Sequence, residues 1–228
     1  MRTHPELMLG TAMVHVLAPS NLCALCGGVV SGRDHAGVCP VCRRDLVNEQ
    51  TMETFFLEDL LCGVAGEYGG VAKRALEAVK RGGNRRLLPL IAETFLSPVV
   101  YTLTQIVAAG GDPPVDGIVP VPASFAGRRQ RGFDQVRLLS LRLDLPMYPI
   151  LRRRRGAQQK RLSREARQIN AVHRYRPTAE IGKQVTPGTR VIIVDDIVTT
   201  GASLRRCRDI LREAGVEPVA AAACLITR

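Results

Sequence analysis

The fold turns on thirteen residues, Val191-Ile192-Ile193-Val194-Asp195-Asp196-Ile197-Val198-Thr199-Thr200-Gly201-Ala202-Ser203. Four consecutive apolar residues predict a strand buried on both faces, as in a parallel sheet covered by helices. The two carboxylates stand where that strand is expected to end, at the carboxyl edge where open α/β sheets bind ligands. Charge is costly there. The pair has a purpose if it accepts hydrogen bonds from vicinal hydroxyls or balances a nearby cation. Thr199 to Ser203 then turns into a helix. Successive backbone N–H groups, two threonine hydroxyls and the helix N-terminus converge on one point, which suits a phosphate dianion, and Gly201 allows close approach. A diol site beside a phosphate site outlines a ribose 5-phosphate. The plainer alternative is a surface strand end with an aspartate helix cap. No G-x-x-x-x-G-K-[ST] loop occurs in the chain.

Outward from this stretch, strands alternate with helices. Downstream, a helix spans Ala202 to Glu213 before Gly215, and Val219 to Ile226 forms a last apolar strand. Upstream, Val71, Ala72, Ala75, Leu76 and Val79 recur at helical spacing, and a longer apolar helical stretch runs from Leu87 to Ala109. Val115 to Val121, bounded by prolines, predicts a buried strand; Leu138, Leu139, Leu141 and Leu143 predict a helix, and Met147 to Leu151 another strand. The pattern implies an α/β fold with a mostly parallel twisted sheet and helices on both faces. It divides into a small module over residues 1–50, opening with a short helix at 7–18, and a larger domain over 51–228.

The chain has 228 residues, 46% apolar and 23% charged, with a net charge of +11. The surplus is local. Residues 123–176 carry 15 basic and three acidic side chains, whereas the rest carries 17 basic and 18 acidic. Seven cysteines, four of them in C-x-x-C pairs, fit a reducing compartment and a metal site better than a disulfide framework, so the cytoplasm is expected. Leu7 to Ala18 only loosely imitates a cleavable leader, and no membrane span is expected, since no stretch approaches ~20 uninterrupted apolar residues.

Cys23-x-x-Cys26 and Cys39-x-x-Cys42 are separated by 12 residues rich in glycine. Each pair folds into a knuckle that points two thiolates at one ion, and zinc suits four such sulfurs. Merely buried or redox-active thiols are the alternative. With four ligands the site has no open position for chemistry, so a structural role is expected. His35 lies between the pairs as a loop residue.

The string Val191 to Ser203 resembles, position for position, the signature with which type I phosphoribosyltransferases bind phosphoribosyl pyrophosphate. Further motifs narrow the resemblance: the cysteine pairs, Tyr68 with Lys80 downstream, Val119-Pro120-Val121-Pro122, Arg131-Gly132-Phe133-Asp134-Gln135, Gln159-x-x-Leu162-Ser163, and Arg167 with Asn170. In this order they resemble the ComF family, the competence-associated phosphoribosyltransferase-like proteins. Asp134 stands where that family usually has Asn, Gly156 where Thr is frequent, and Tyr175 where Phe is common.

The resemblance implies a Mg²⁺-assisted transfer in which a base nitrogen attacks the anomeric carbon of phosphoribosyl pyrophosphate. It implies that Asp195 and Asp196 grip the ribose hydroxyls as the catalytic pair, with Val198, Thr199, Thr200, Gly201, Ala202 and Ser203 around the 5-phosphate. Val121, Pro122 and Arg131 would form the pyrophosphate loop. The basic segment from Leu151 to Tyr175 corresponds to a mobile hood. Its Arg152, Arg153, Arg154 and Arg155 close over pyrophosphate, contact nucleic-acid phosphates, or form a solvated face. Two functions therefore stand: a phosphoribosyltransferase with an unidentified base acceptor, and a DNA-uptake accessory that binds single-stranded DNA or a helicase partner. The complete Asp-Asp string favours the first, and the basic segment keeps the second.

Overall fold

Ile192 and Val194 face one core and Val191 and Ile193 the other, all four fully buried, so this strand divides the molecule into two apolar layers. A computed structural model describes residues 22–29, 36–153 and 175–228. The expected helix at 7–18 lies outside the described residues, as do His35, Arg154, Arg155 and the motif residues between them and Tyr175.

Helix α1 (Pro40–Asn48) leads into the hairpin β1 (Glu53–Leu57) and β2 (Leu60–Val64), then α2 (Gly70–Lys80). A continuous helical run follows, with a 3₁₀ turn at Arg85–Leu87, α3 (Leu88–Ile91), a π-helical turn at Ala92–Leu96 and α4 (Ser97–Ala109). Then come β3 (Gly117–Pro120), α5 (Phe125–Arg131), α6 (Gln135–Ser140) and β4 (Leu151–Arg153). After β5 (Tyr175–Pro177) and α7 (Ile181–Gln184) the chain closes with β6 (Arg190–Val198), α8 (Ala202–Glu213) and β7 (Glu217–Ile226). The main sheet has the order β1-β2-β7-β6-β3; β1 runs antiparallel to β2, and all other neighbours are parallel. Strands β4 and β5 form a separate antiparallel ribbon.

Helix α4 packs on β2 and β7 and α6 on β3 and β6, while α8 covers the opposite face. The alanine run Ala220–Ala223 at the middle of the sheet is fully buried and feeds both cores alternately, so short side chains let the two helical layers approach. The run Arg85–Ala109 is long and apolar enough to cross a membrane, but in this fold 61% of its apolar window is buried, with Ile91, Phe95, Val99 and Leu103 in the core.

The cysteine module shares the first core: Cys23, Leu25, Val38, Cys42 and Leu46 pack into the same cluster as α2 to α4. Glu49, just beyond α1, accepts hydrogen bonds from the N–H groups of Val71 and Ala72 at 2.8 Å each, capping α2. Gly70, at φ 47°, leaves room for this carboxylate; a Cβ there would stand 2.1 Å from Glu49 Oε1.

Several elements differ from their expected form. The β1–β2 hairpin and α5 carry no strong periodic signal and are additions. Strand β6 extends to Val198 because β7 continues to pair with it, whereas its other neighbour β3 stops at Pro120, opposite Val194. The expected strand at Met147 to Leu151 reduces to one bridge between Met147 and Ile118, and pairing resumes only at Leu151 in the separate ribbon. The helix expected through Leu143 ends at Ser140, where tight turns lead towards Pro146.

Candidate functional site

Because β6 outruns β3, Asp195 and Asp196 emerge on a strand whose edge-side neighbour has ended. They open into a cavity of about 320 Å³ lined also by Lys80, the turn Val121 to Ser124, Arg131, Gln135, Arg153, Tyr175 and Ser203. That volume lies in the usual range for small-molecule sites. Another cleft, of about 430 Å³, sits at the opposite, amino end of β6 among Asp116, Tyr148 and residues 182–189. It meets none of the residues singled out from the motif.

Five separated stretches build the cavity. Lys80, the last residue of α2, places its Nζ 3.0 Å from Asp196 Oδ2. Burial, reinforced by the neighbouring Asp196 charge, pushes Asp195 well above the usual carboxylate range; its own backbone contact with Asp196 and the Lys80 charge oppose this. The backbone N–H of Asp196 donates to Asp195 Oδ1 at 2.8 Å, so the strand itself holds that oxygen. Tyr175 Oη donates to Ser203 Oγ at 3.2 Å, and the Arg153 guanidinium lies 5.5 Å from the centroid of the Tyr175 ring. Burial raises the Tyr175 hydroxyl above its ordinary value.

The turn between β6 and α8 is shaped by Gly201, at φ 69°. A Cβ there would stand 2.6 Å from Leu57 Cδ1, so the hairpin also excludes a side chain at this point. Arg208, nearly buried on α8, holds that hairpin in place through Glu58 at 2.8 Å and Asp59 at 2.5 Å. Among the described residues no side chain caps α8: Ala202 N–H reaches Thr200 Oγ1 only at 3.4 Å, leaving the first-turn amides open to an anion.

The turn Val121 to Ser124 is tied by Asp134. Its Oδ2 accepts from Ala123 N–H at 3.1 Å and its Oδ1 from Arg137 N–H at 3.3 Å, capping α6. An anion at this position is therefore occupied by two backbone donors.

The cavity thus gathers Val121, Pro122, Arg131, Arg153, Asp195, Asp196 and Ser203 from the sequence reading. Thr199, Thr200 and Ala202 are exposed on the adjoining turn, Val198 is buried beneath it, and Arg152 points outward from the wall. Lys80, Ser124, Gln135 and Tyr175 are additions. Lys80, Gln135 and Tyr175 belong to motifs noted in the sequence, yet nothing local to them announces that they meet the Asp pair.

The second cluster is the cysteine module, whose four sulfurs all lie within 4.8 Å of one another. Cys23 Sγ accepts from the N–H groups of Leu25 and Cys39, Cys26 Sγ from Gly28, and Cys39 Sγ from Cys42, at 3.3 to 3.4 Å. Burial alone would raise the Cys23 thiol, but the backbone donors from Cys39, Leu25 and Cys26 outweigh it and bring it down to about 6. Burial and the neighbouring thiols push Cys42 up. Four soft donors gathered within reach of one ion, three of them accepting from backbone amides, fit a metal ion such as zinc.

The phosphoribosyl transferase domain family matches residues 130–228. Competence protein F of Haemophilus influenzae is 33% identical over 110 residues, which are 46% of this chain and 47% of that protein. Orotate phosphoribosyltransferase 2 of Mesorhizobium japonicum is 56% identical over 45 residues, 20% of this chain and 23% of that enzyme. Among solved structures, Leishmania donovani UMP synthase covers 82% of this chain and 31% of its own, at 16% identity and a TM-score of 0.34. The chain thus spans less than half the length of these relatives.

Residues 130–228, which supply β6, the carboxylate pair and α8 beside the cavity, are similar to the phosphoribosyl transferase class of α/β domains. Within that class the matches support the ComF-like family, related to the type I phosphoribosyltransferases.

Proposed function

We propose that this protein binds phosphoribosyl pyrophosphate in the cavity at the carboxyl end of β6 and transfers its phosphoribosyl group to a base nitrogen. The observation that carries this is the Asp195–Asp196 pair opening into the same cavity as Arg131, the Val121 to Ser124 turn and Ser203 of the uncapped α8. The two carboxylates hold the ribose hydroxyls, and the amides from Thr199 to Ser203 hold the 5-phosphate. Arg131 and the proline-flanked Val121 turn face the diphosphate. The hard oxygen donors Asp195, Asp196, Ser124 and Ser203 fit Mg²⁺, which when bound supplies positive charge to the departing diphosphate.

In the transfer, the acceptor nitrogen forms a bond to the anomeric carbon as the bond to the diphosphate oxygen breaks. Diphosphate leaves with that electron pair, and the nitrogen releases its proton to solvent or a base. Positive charge develops on the ribose ring, where the neighbouring carboxylates stabilise it. Asp195, shifted upward by burial, ionises most readily when a cation enters beside it.

The deciding experiment is incubation with phosphoribosyl pyrophosphate, Mg²⁺ and a panel of bases, following diphosphate release. Release that depends on one base supports the transferase. Calorimetry showing no binding of phosphoribosyl pyrophosphate at millimolar concentration overturns it.

The basic surplus within residues 123–176 favours a second reading, a cytoplasmic DNA-uptake accessory that binds single-stranded DNA or a helicase partner. Replacing Arg152 to Arg155 by Ala then lowers the slope of log affinity against log salt by about 0.7 for each lost phosphate contact. An unchanged slope assigns those arginines to a solvated face. In either reading the module within residues 1–50 is a structural zinc clip on the domain of residues 51–228.

A further inference from the structure

Gln135, the first residue of α6, is 1% exposed and lines the cavity together with Arg131. Among the described residues its Nε2 and Oε1 are both buried without a hydrogen-bond partner, and so is Nε of Arg131. Burying a carboxamide in this state costs free energy that a similarly sized apolar side chain would avoid. Asp134 next to it does not relieve the cost, since both its oxygens are engaged by Ala123 and Arg137. An amide left unsatisfied at the wall of a ligand cavity is matched to a group that enters from that cavity.

The companions on that wall identify the group. Arg131 and Arg153 line the same space and favour an anion on this side, while Lys80 is paired with Asp196 across the cavity. Two unpartnered donors, Gln135 Nε2 and Arg131 Nε, suit phosphate oxygens; the unpartnered acceptor, Oε1, suits a hydroxyl on the same ligand. A further cation in place of Gln135 would supply the first but not the second.

We infer that Gln135 is a binding residue for the diphosphate end of the phosphoribosyl donor, with Nε2 donating to a phosphate oxygen beside Arg131 and Oε1 accepting from a P–OH or hydroxyl group. The inference rests on the cavity being a phosphoribosyl pyrophosphate site.

Calorimetry on the full chain with inorganic diphosphate plus Mg²⁺, and separately with ribose 5-phosphate, tests it. Gln135→Met keeps the volume and removes both polar atoms. It should weaken diphosphate about tenfold, keep ribose 5-phosphate affinity, and raise the melting midpoint of the ligand-free protein by about 2–4 °C. Gln135→Glu, which replaces the donor by a charged acceptor, should weaken diphosphate further. Unchanged diphosphate affinity in Gln135→Met, or a lowered midpoint with both ligands weakened equally, overturns the inference and makes the residue structural. If the unmutated chain takes ribose 5-phosphate but not diphosphate, this inference fails alone. If it takes neither, the underlying phosphoribosyl assignment fails with it.

Discussion

Lys80 Nζ meets Asp196 Oδ2 at 3.0 Å, joining the end of α2 to the strand that carries the carboxylate pair. The lysine side chain is 29% exposed and the aspartate 14%, so screening by water is incomplete. Lys80→Met would leave Asp196 facing Asp195 without its cation. The variant should lose about 1–3 kcal/mol at pH 7, less than a fully buried pair because water still reaches the lysine. Denaturant titration at pH 7 and pH 5 checks this, with the deficit shrinking at the lower pH as a carboxylate protonates.

Asp195 has a raised proton affinity in the folded state, caused by burial and then by Asp196. The folded protein therefore holds this proton more tightly than the unfolded chain. Its contribution to stability is greatest below the ordinary carboxylate value near 3.8 and declines as pH rises through the elevated one. Each tenfold rise in proton affinity corresponds to about 1.4 kcal/mol of that penalty. Asp195→Asn should accordingly melt higher than the unmutated protein at pH 7, lose this part of the pH dependence, and bind phosphoribosyl pyrophosphate at least about tenfold more weakly. Melting curves across pH 4 to 8 decide the stability claim.

Gly201→Ala combines two faults, a side chain at φ 69° and a Cβ 2.6 Å from Leu57 Cδ1. The left-handed conformation alone costs about 1–2 kcal/mol. The turn should shift away from the hairpin and weaken ribose 5-phosphate. Gly201→Ala with Leu57→Ala should recover part of the loss, because the second change removes the clash but leaves the conformational strain. Equal defects in the single and double variants would show that the leucine is irrelevant.

Asp134→Asn tests whether the charged residue here serves the backbone. The carboxylate accepts from Ala123 and Arg137 through different oxygens, whereas an amide turns an NH₂ towards one of them. Loss of one such contact should cost about 1 kcal/mol. Hydrogen exchange should quicken at Ala123 or Arg137 with little change elsewhere.

Cys39→Ser removes one sulfur from the cluster and the acceptor at the N-cap of α1. Elemental analysis of the unmutated chain should give about one zinc per molecule, and the variant should retain little. A loss of roughly 3 kcal/mol would lower the melting midpoint by about 6–12 °C. Unmutated protein without bound metal would remove the clip from the account.

The strand Val191 to Val194, the Asp pair and α8 are legible in the sequence because each rests on local signals: an unbroken apolar run, adjacent acids, and a glycine before an amphipathic helix. The β1–β2 hairpin is not. Strand β1 is an edge strand with Phe56 exposed, so its apolar residues do not sort by burial, and β2 contains Gly63 beneath α4. The length of β6 is equally hidden, since it depends on β7 outlasting β3. Lys80 acquires its meaning from Asp196, more than a hundred positions away in the chain, and Gln135 from a cavity wall that only the fold assembles. For Gln135 the decisive fact is the absence of partners, which no residue type or spacing encodes.

Glu49 seals the first amides of α2, and Gly70 makes the space for it. That lock restricts how the cysteine module can be exchanged between related proteins. A transplant that carries the four cysteines but drops Glu49, or meets a bulkier residue at position 70, would arrive with its metal ligands intact and the helix leading to Lys80 badly seated. The two positions have to be inherited as a pair, and a hybrid that binds zinc normally yet handles ligand poorly is the expected sign that they were not.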